Sequence, residues 1–126
     1  MKRLLLPLLL SLSAAAGDQP QWGTAWSRNM VSPETGLPAK IDFPSSTGIL
    51  WKVPLGSETH SSPVVSDGIL FIGNRKGGFL ILAADRAAPR ILSESHAGAP
   101  ISATACAAQH RLYIATMNTL FCAGTP

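Results

Sequence analysis

The chain predicts an all-β protein made of short antiparallel strands, and three observations carry that prediction. Ile69-Leu70-Phe71-Ile72 and Phe79-Leu80-Ile81-Leu82 are unbroken apolar runs, the pattern of strands covered on both faces, where a sheet with one wet face would alternate apolar and polar residues. Turn residues punctuate these runs. Asp67-Gly68 precedes the first, and Asn74 with Gly77-Gly78 separates the two; Gly, Asn and Asp tolerate the positive φ of tight hairpins. The unit also occurs twice: a shift of about 42 residues lays Asp67-Gly-Ile-Leu-Phe-Ile-Gly73 over Gln109-His-Arg-Leu-Tyr-Ile-Ala115. After one residue is dropped in the following turn, Phe79-Leu80-Ile81-Leu82 falls on Leu120-Phe121-Cys122-Ala123.

In chain order, Lys2 and Arg3 precede a leucine-rich core over residues 4–12, and Ala14-Ala15-Ala16 supplies small residues for a peptidase. The apolar run is too short to span a bilayer and has the order of an export signal over residues 1–16, with an uncleaved N-terminal anchor as the alternative. No Cys follows the core to take a lipid. The expected location is therefore periplasmic or secreted, with no membrane span once the signal is removed. Loss of Lys2 and Arg3 with the signal brings the net charge of +3 close to neutral. The basic balance thus argues for no nucleic-acid partner, since no basic patch with interleaved aromatics is left.

Residues 17–48 are polar and contain Pro without a period, which predicts an extended N-terminal arm whose Trp22 and Trp26 pack onto the body. Residues 49–53, Ile-Leu-Trp-Lys-Val, read as a strand ended by Pro54. The first repeat then supplies strands at 61–65, 69–73, 78–82 and 90–93, and the second at 102–107, 111–116 and 120–123. A period near ~40 residues with four short strands per unit is the pattern of a propeller blade. The prediction is two blades over residues 49–126, the second lacking its fourth strand unless residues 49–53 complete it. A ring closes with roughly four to eight blades. Two blades leave three expectations: lost middle blades, a small two-sheet sandwich, or assembly of several copies. In each, edge strands and apolar faces stand open to a protein partner or to self-association.

The segment Ser-Ser-Pro-Val-Val-Ser-Asp-Gly-Ile-Leu-Phe-Ile-Gly, ending at Gly73, resembles the repeat of the PQQ-like (pyrroloquinoline quinone repeat) β-propellers, the group that includes the outer-membrane assembly lipoprotein of the β-barrel machinery. The leader from Pro20 to Pro38 is similar to the N-terminus of secreted bacterial PQQ-like repeat proteins. The resemblance implies antiparallel blades, here cut down to the first and last, in an exported binding or scaffold module. It also raises a truncated gene product with no retained function, and a fragment of a quinoprotein dehydrogenase. Quinoprotein dehydrogenases hold quinone and calcium in a complete ring, with adjacent cysteines and Asp-x-x-Thr-Gly-x-x-x-Trp blade ends. This chain has no adjacent cysteines, and Ala83 to Arg90 stands in place of the blade end. The expectation is a non-catalytic protein with no cofactor, since fold alone does not fix chemistry.

Residue by residue, no catalytic, cofactor-binding or metal constellation emerges. Cys106 and Cys122 are the two cysteines. They fall on the first and third strands of the second repeat, about 9.6 Å apart at the ~4.8 Å strand spacing, beyond the roughly 7 Å a disulfide bridges; buried free thiols are expected. His60, His96 and His110 have no ligating neighbours at metal spacing. Asp18, Glu34, Asp42, Glu58, Asp67, Asp85 and Glu94 form no acid–base pair on a strand face. Ser61-Ser62 lacks the frame of a nucleophile elbow. Asn74-Arg75-Lys76-Gly77-Gly78 precedes no helix that would bind a phosphate, and reads as a solvated hairpin turn. Leu70, Phe71, Ile72, Leu80, Leu82, Leu112, Tyr113, Ile114 and Leu120 are the expected core.

Overall fold

The computed structural model describes Asp18 and residues 34–125. The export signal read in residues 1–16 and most of the arm, Trp22 and Trp26 included, lie outside the described residues. Seven strands follow in order: β1 (Val64–Ser66), β2 (Ile69–Gly73), β3 (Gly78–Ala83), β4 (Arg90–His96), β5 (Cys106–Ala108), β6 (Arg111–Ala115) and β7 (Leu120–Ala123). They form two antiparallel meanders, β1-β2-β3-β4 and β5-β6-β7, and the described residues contain no helix and no closed ring.

The repeat read from the sequence is a repeat of register. Val64 opposes Phe71 as Cys106 opposes Tyr113, and Val65 opposes Leu70 as Ala107 opposes Leu112. Leu70–Leu82 and Phe71–Ile81 in the first sheet correspond to Leu112–Ala123 and Tyr113–Cys122 in the second. Both β1–β2 and β5–β6 are joined by two residues at positive φ: Asp67 (51°) and Gly68 (69°), then Gln109 (51°) and His110 (60°). Two positive φ values in a two-residue loop give the turn whose twist matches that of the strands. The second turn adopts this shape without a glycine, at a cost of about 1–2 kcal/mol for each left-handed side-chain-bearing residue.

β1 and β5 start later than the sequence suggests. Pro63 has no N–H to place in a ladder. Ser61 turns inward, its Oγ donating to Gly73 O at 2.9 Å and accepting from Gly73 N at 3.3 Å. Thr59 Oγ1 donates to the same carbonyl at 2.7 Å. Ser62 N then donates to Thr104 Oγ1 at 3.0 Å, one repeat away, so the segments leading into β1 and β5 bond to each other.

Successive side chains alternate between the faces of a strand, which gives the first sheet two distinct surfaces. Phe71, Phe79 and Ile81 project toward the second sheet, where they cluster with Ile101, Ala105, Leu112 and Ile114. Ile101 is 1% exposed and forms the centre of this core. Gly73 lies against it, where a Cβ would stand 2.5 Å from Ile101 Cγ2. The opposite surface carries Leu70, Leu80 and Leu82, the last two buried.

That opposite surface is where residues 49–53 go, and they form no strand and complete no sheet. Trp51 Nε1 donates to Asp85 O at 2.8 Å beyond one end of β3, and Arg75 N donates to Glu58 O at 2.8 Å beyond the far end of β2. The stretch between therefore runs the length of the first sheet on its outer face. Its burial alternates, with Trp51, Val53 and Leu55 partly covered and Lys52, Pro54 and Gly56 exposed. The period-two pattern that predicts a strand is real, but it serves contact with a face and makes no ladder. Ahead of it, the arm expected to be extended contains a tight turn at residues 42–47, closed by an Asp42–Thr47 bridge and by Ser45 Oγ donating to Asp42 Oδ2.

Candidate functional site

The side chains that carry chemistry elsewhere are dispersed here. His60, His96 and His110 are exposed; His96 Nδ1 accepts from Gly98 N at 3.1 Å. Among the described residues no three His, Cys, Asp or Glu side chains are grouped to hold a metal ion. Every buried side-chain nitrogen and oxygen among them has a hydrogen-bond partner. The Arg75–Glu58 ion pair, at 3.4 Å between exposed groups, contributes at most about 1 kcal/mol.

Cys106 and Cys122 are both free. Each lies directly opposite Tyr113, on either side of it, so a full strand separates them. The expectation that both are buried is overturned: Cys106 is half-buried on β5, and Cys122 is exposed on β7, beyond which no strand lies among the described residues. Leu120 on the same strand, expected in the core, is 68% exposed. Leu70, Phe71, Ile72, Leu112, Tyr113 and Ile114 are partly covered.

Asn74 is the polar residue whose importance the sequence conceals. It is buried, where a solvated turn was expected. Its Oδ1 accepts from Lys76 N and Gly78 N, both at 2.9 Å, and its Nδ2 donates to Leu55 O at 2.6 Å. Its backbone carbonyl accepts from Ile101 N at 3.0 Å. One side chain thus shapes the β2–β3 turn and pins the segment crossing the outer face. An Asn followed by Gly-Gly is a turn signal; that it also anchors Leu55 has no local signature.

Two open clefts flank the first sheet. One, of about 660 Å³, lies between the sheets and is lined by Ile69, Phe71, Ile81 and Leu112, with His110 and Arg111 at its rim. Asp18 borders it, its carboxylate accepting from Asp67 N at 3.1 Å. The other, of about 750 Å³, lies on the outer face between Leu70, Trp51 and the exposed Ile41, Phe43 and Leu50. Polar residues share both linings, Asp67, Gln109 and Thr125 in the first and Lys52, Asp85 and Arg86 in the second.

The remaining features are sheet edges, and they differ. β3 is covered by β4, with Phe79 opposite Ser95 and Ile81 opposite Ser93. The equivalent strand β7 has no strand on its outer side among the described residues. β4 closes the first sheet with Arg90, Glu94 and His96 and a register break opposite Ile81 and Leu82, the charges and irregularity that blunt an edge. β7, Leu-Phe-Cys-Ala, carries no charge at all.

The fold and these edges define the chain as an open all-β protein of two meander sheets. No protein-family model matches the chain, and no curated protein matches it. Among the described residues no helix is long and apolar enough to cross a membrane.

Proposed function

We propose that the protein is an exported, non-catalytic repeat protein of the PQQ-like propeller kind, or a fragment of one. In this reading it acts as a binding or scaffold module that engages a protein partner or its own copies through exposed blade edges. The observation that carries the reading is the contrast between β3 and β7: two strands equivalent in register, one covered by β4 and the other without a strand on its outer side among the described residues. Unpaired N–H and C=O groups along such an edge are a template for another chain. The duplicated register, repeating after about 42 residues, supports the blade assignment. The charge, leucine core and alanines of residues 2–16 support export to the periplasm or beyond.

The test is to express the full chain in a bacterial host and determine the N-terminus and the compartment of the product. Its mass is then followed by size-exclusion chromatography with light scattering, and its strand content by far-ultraviolet circular dichroism. A β-rich product processed near Ala16 that forms defined oligomers, or captures a partner lost when β7 is altered, supports the proposal. An aggregated or unfolded product marks a truncated remnant and overturns it. Quinone-dependent dye reduction by the purified protein would replace it with the dehydrogenase reading.

A further inference from the structure

We infer that β7 is a self-pairing edge: two copies of the chain join by antiparallel β7–β7 addition about a two-fold axis at Phe121, making one six-stranded sheet. This rests on the proposed reading of the open edge as the binding element, and names its occupant. Ladder phase decides which groups face outward. Thr116 N donates to Thr119 O at 2.9 Å, which makes residues 116 and 119 a hydrogen-bonded pair. Bonded and non-bonded pairs alternate along an antiparallel ladder, so Ala115–Leu120 and Tyr113–Cys122 are non-bonded with respect to β6. The N–H and C=O of Leu120 and Cys122 therefore point away from the sheet. The first repeat corroborates this phase: Ala97 N donates to Gly77 O at 2.8 Å, so Phe79 and Ile81, the equivalents of Leu120 and Cys122, bond outward to Ser95 and Ser93 of β4.

A second β7 satisfies this edge symmetrically. With Leu120 opposite the other copy's Cys122, both outward residues of each strand exchange N–H···O bonds, and Phe121 faces its own counterpart in the closely spaced non-bonded pair. Phe121 is 39% exposed and opposes Ile114, which packs on the inter-sheet core. An aromatic pair at the axis would extend that core across the junction. On the other face, Leu120 at 68% exposure meets Cys122, also exposed, so apolar surface is matched with apolar surface and no charge is buried. A closed two-fold contact of this kind uses the same patch on both copies and stops at the dimer. β4, with its charges and register break, offers no equivalent edge.

The test measures mass by light scattering and analytical ultracentrifugation over a broad dilution series, on the full chain purified in the form the host leaves it. Wild type is expected to be a dimer that dissociates on dilution. Phe121→Lys places like charges across the axis and is expected to weaken the dimer by about tenfold or more. Leu120→Lys, at a side chain that packs on little in the monomer, is expected to weaken it with unchanged circular dichroism. In a background with both native cysteines changed to Ser, Phe121→Cys is expected to form a disulfide-linked dimer on mild oxidation, because only this register brings residue 121 opposite itself. A folded wild-type monomer at all concentrations overturns the inference. Oligomers that survive both Lys variants but are lost when Leu92→Lys alters β4 also overturn it, while leaving edge-mediated assembly standing.

Discussion

Replacing Asn74 by Ala removes three hydrogen bonds and spares the strands on either side. The side chain accepts from Lys76 N and Gly78 N and donates to Leu55 O. Each bond contributes a net ~0.5–1.5 kcal/mol, and a buried donor left without a partner adds more. Lys76 N sits in the exposed turn and can turn to water; Gly78 N and Leu55 O are less accessible. The sum is a loss of about 2–4 kcal/mol, a large part of the ~5–15 kcal/mol that keeps a domain folded. Asn74→Asp separates the two roles. It keeps an acceptor for both turn amides but presents an oxygen to Leu55 O, so it should lose the anchor on the outer-face segment and hold the β2–β3 turn. Urea unfolding followed by circular dichroism gives the total for each variant. Fluorescence in a background with Trp22 and Trp26 changed to Phe, which leaves Trp51 as reporter, gives the detachment of its segment. The expected ranking is wild type, then Asp, then Ala. A loss below about 0.5 kcal/mol for Ala would refute the assignment of Asn74 as the joint between turn and segment.

Four further outcomes follow from the same packing. Phe79→Ala should cost about 3–5 kcal/mol, and Phe71→Ala, half-buried on the same face, clearly less, both read from urea midpoints. Gly73→Ala should destabilise by about 1–3 kcal/mol, because the new methyl would press into the buried Ile101. Converting Gln109-His110 to Asn-Gly should raise stability by about 1 kcal/mol or more, because both positions have positive φ; a neutral result in thermal melts would count against the tight-turn geometry. Timed thiol labelling of the native protein should modify Cys122 ahead of Cys106, with no change in electrophoretic mobility on reduction.

How far the structure was legible depended on whether the determinants were local. β2 and β7 match their predicted bounds because an apolar run between two turn signals is a complete local description. The position of His110 in a left-handed turn followed from alignment with Gly68, since a repeat carries backbone shape even where the residue changes. Tertiary placement was not legible. Trp51-Lys-Val alternates like a strand, but whether such a segment joins an edge or lies on a face depends on which surface is open, and the open surface was the leucine face of the first sheet. The expectation that Leu120 and Cys122 are interior rests on an apolar run being covered on both faces, which holds for β3, with Phe79 in the inter-sheet core and Leu80 and Leu82 buried on the other face, and fails for β7, where Leu120 and Cys122 are exposed. Asn74 read as turn chemistry alone because its partner Leu55 is distant in the chain.

The hydrogen bond between Ser62 N and Thr104 Oγ1 and the Ile101 cluster are contacts distant in the chain, unlike the ladders inside each sheet. Within each sheet every strand pairs with its sequence neighbour, so hairpins close over short loops at little entropic cost and on microsecond timescales. Union of the sheets brings residues 62 and 104 together across a much longer loop. Substitutions at Ile101, whose contacts belong to the joining of the sheets, should therefore slow folding as well as weaken the product, read from folding and unfolding rates over a urea series.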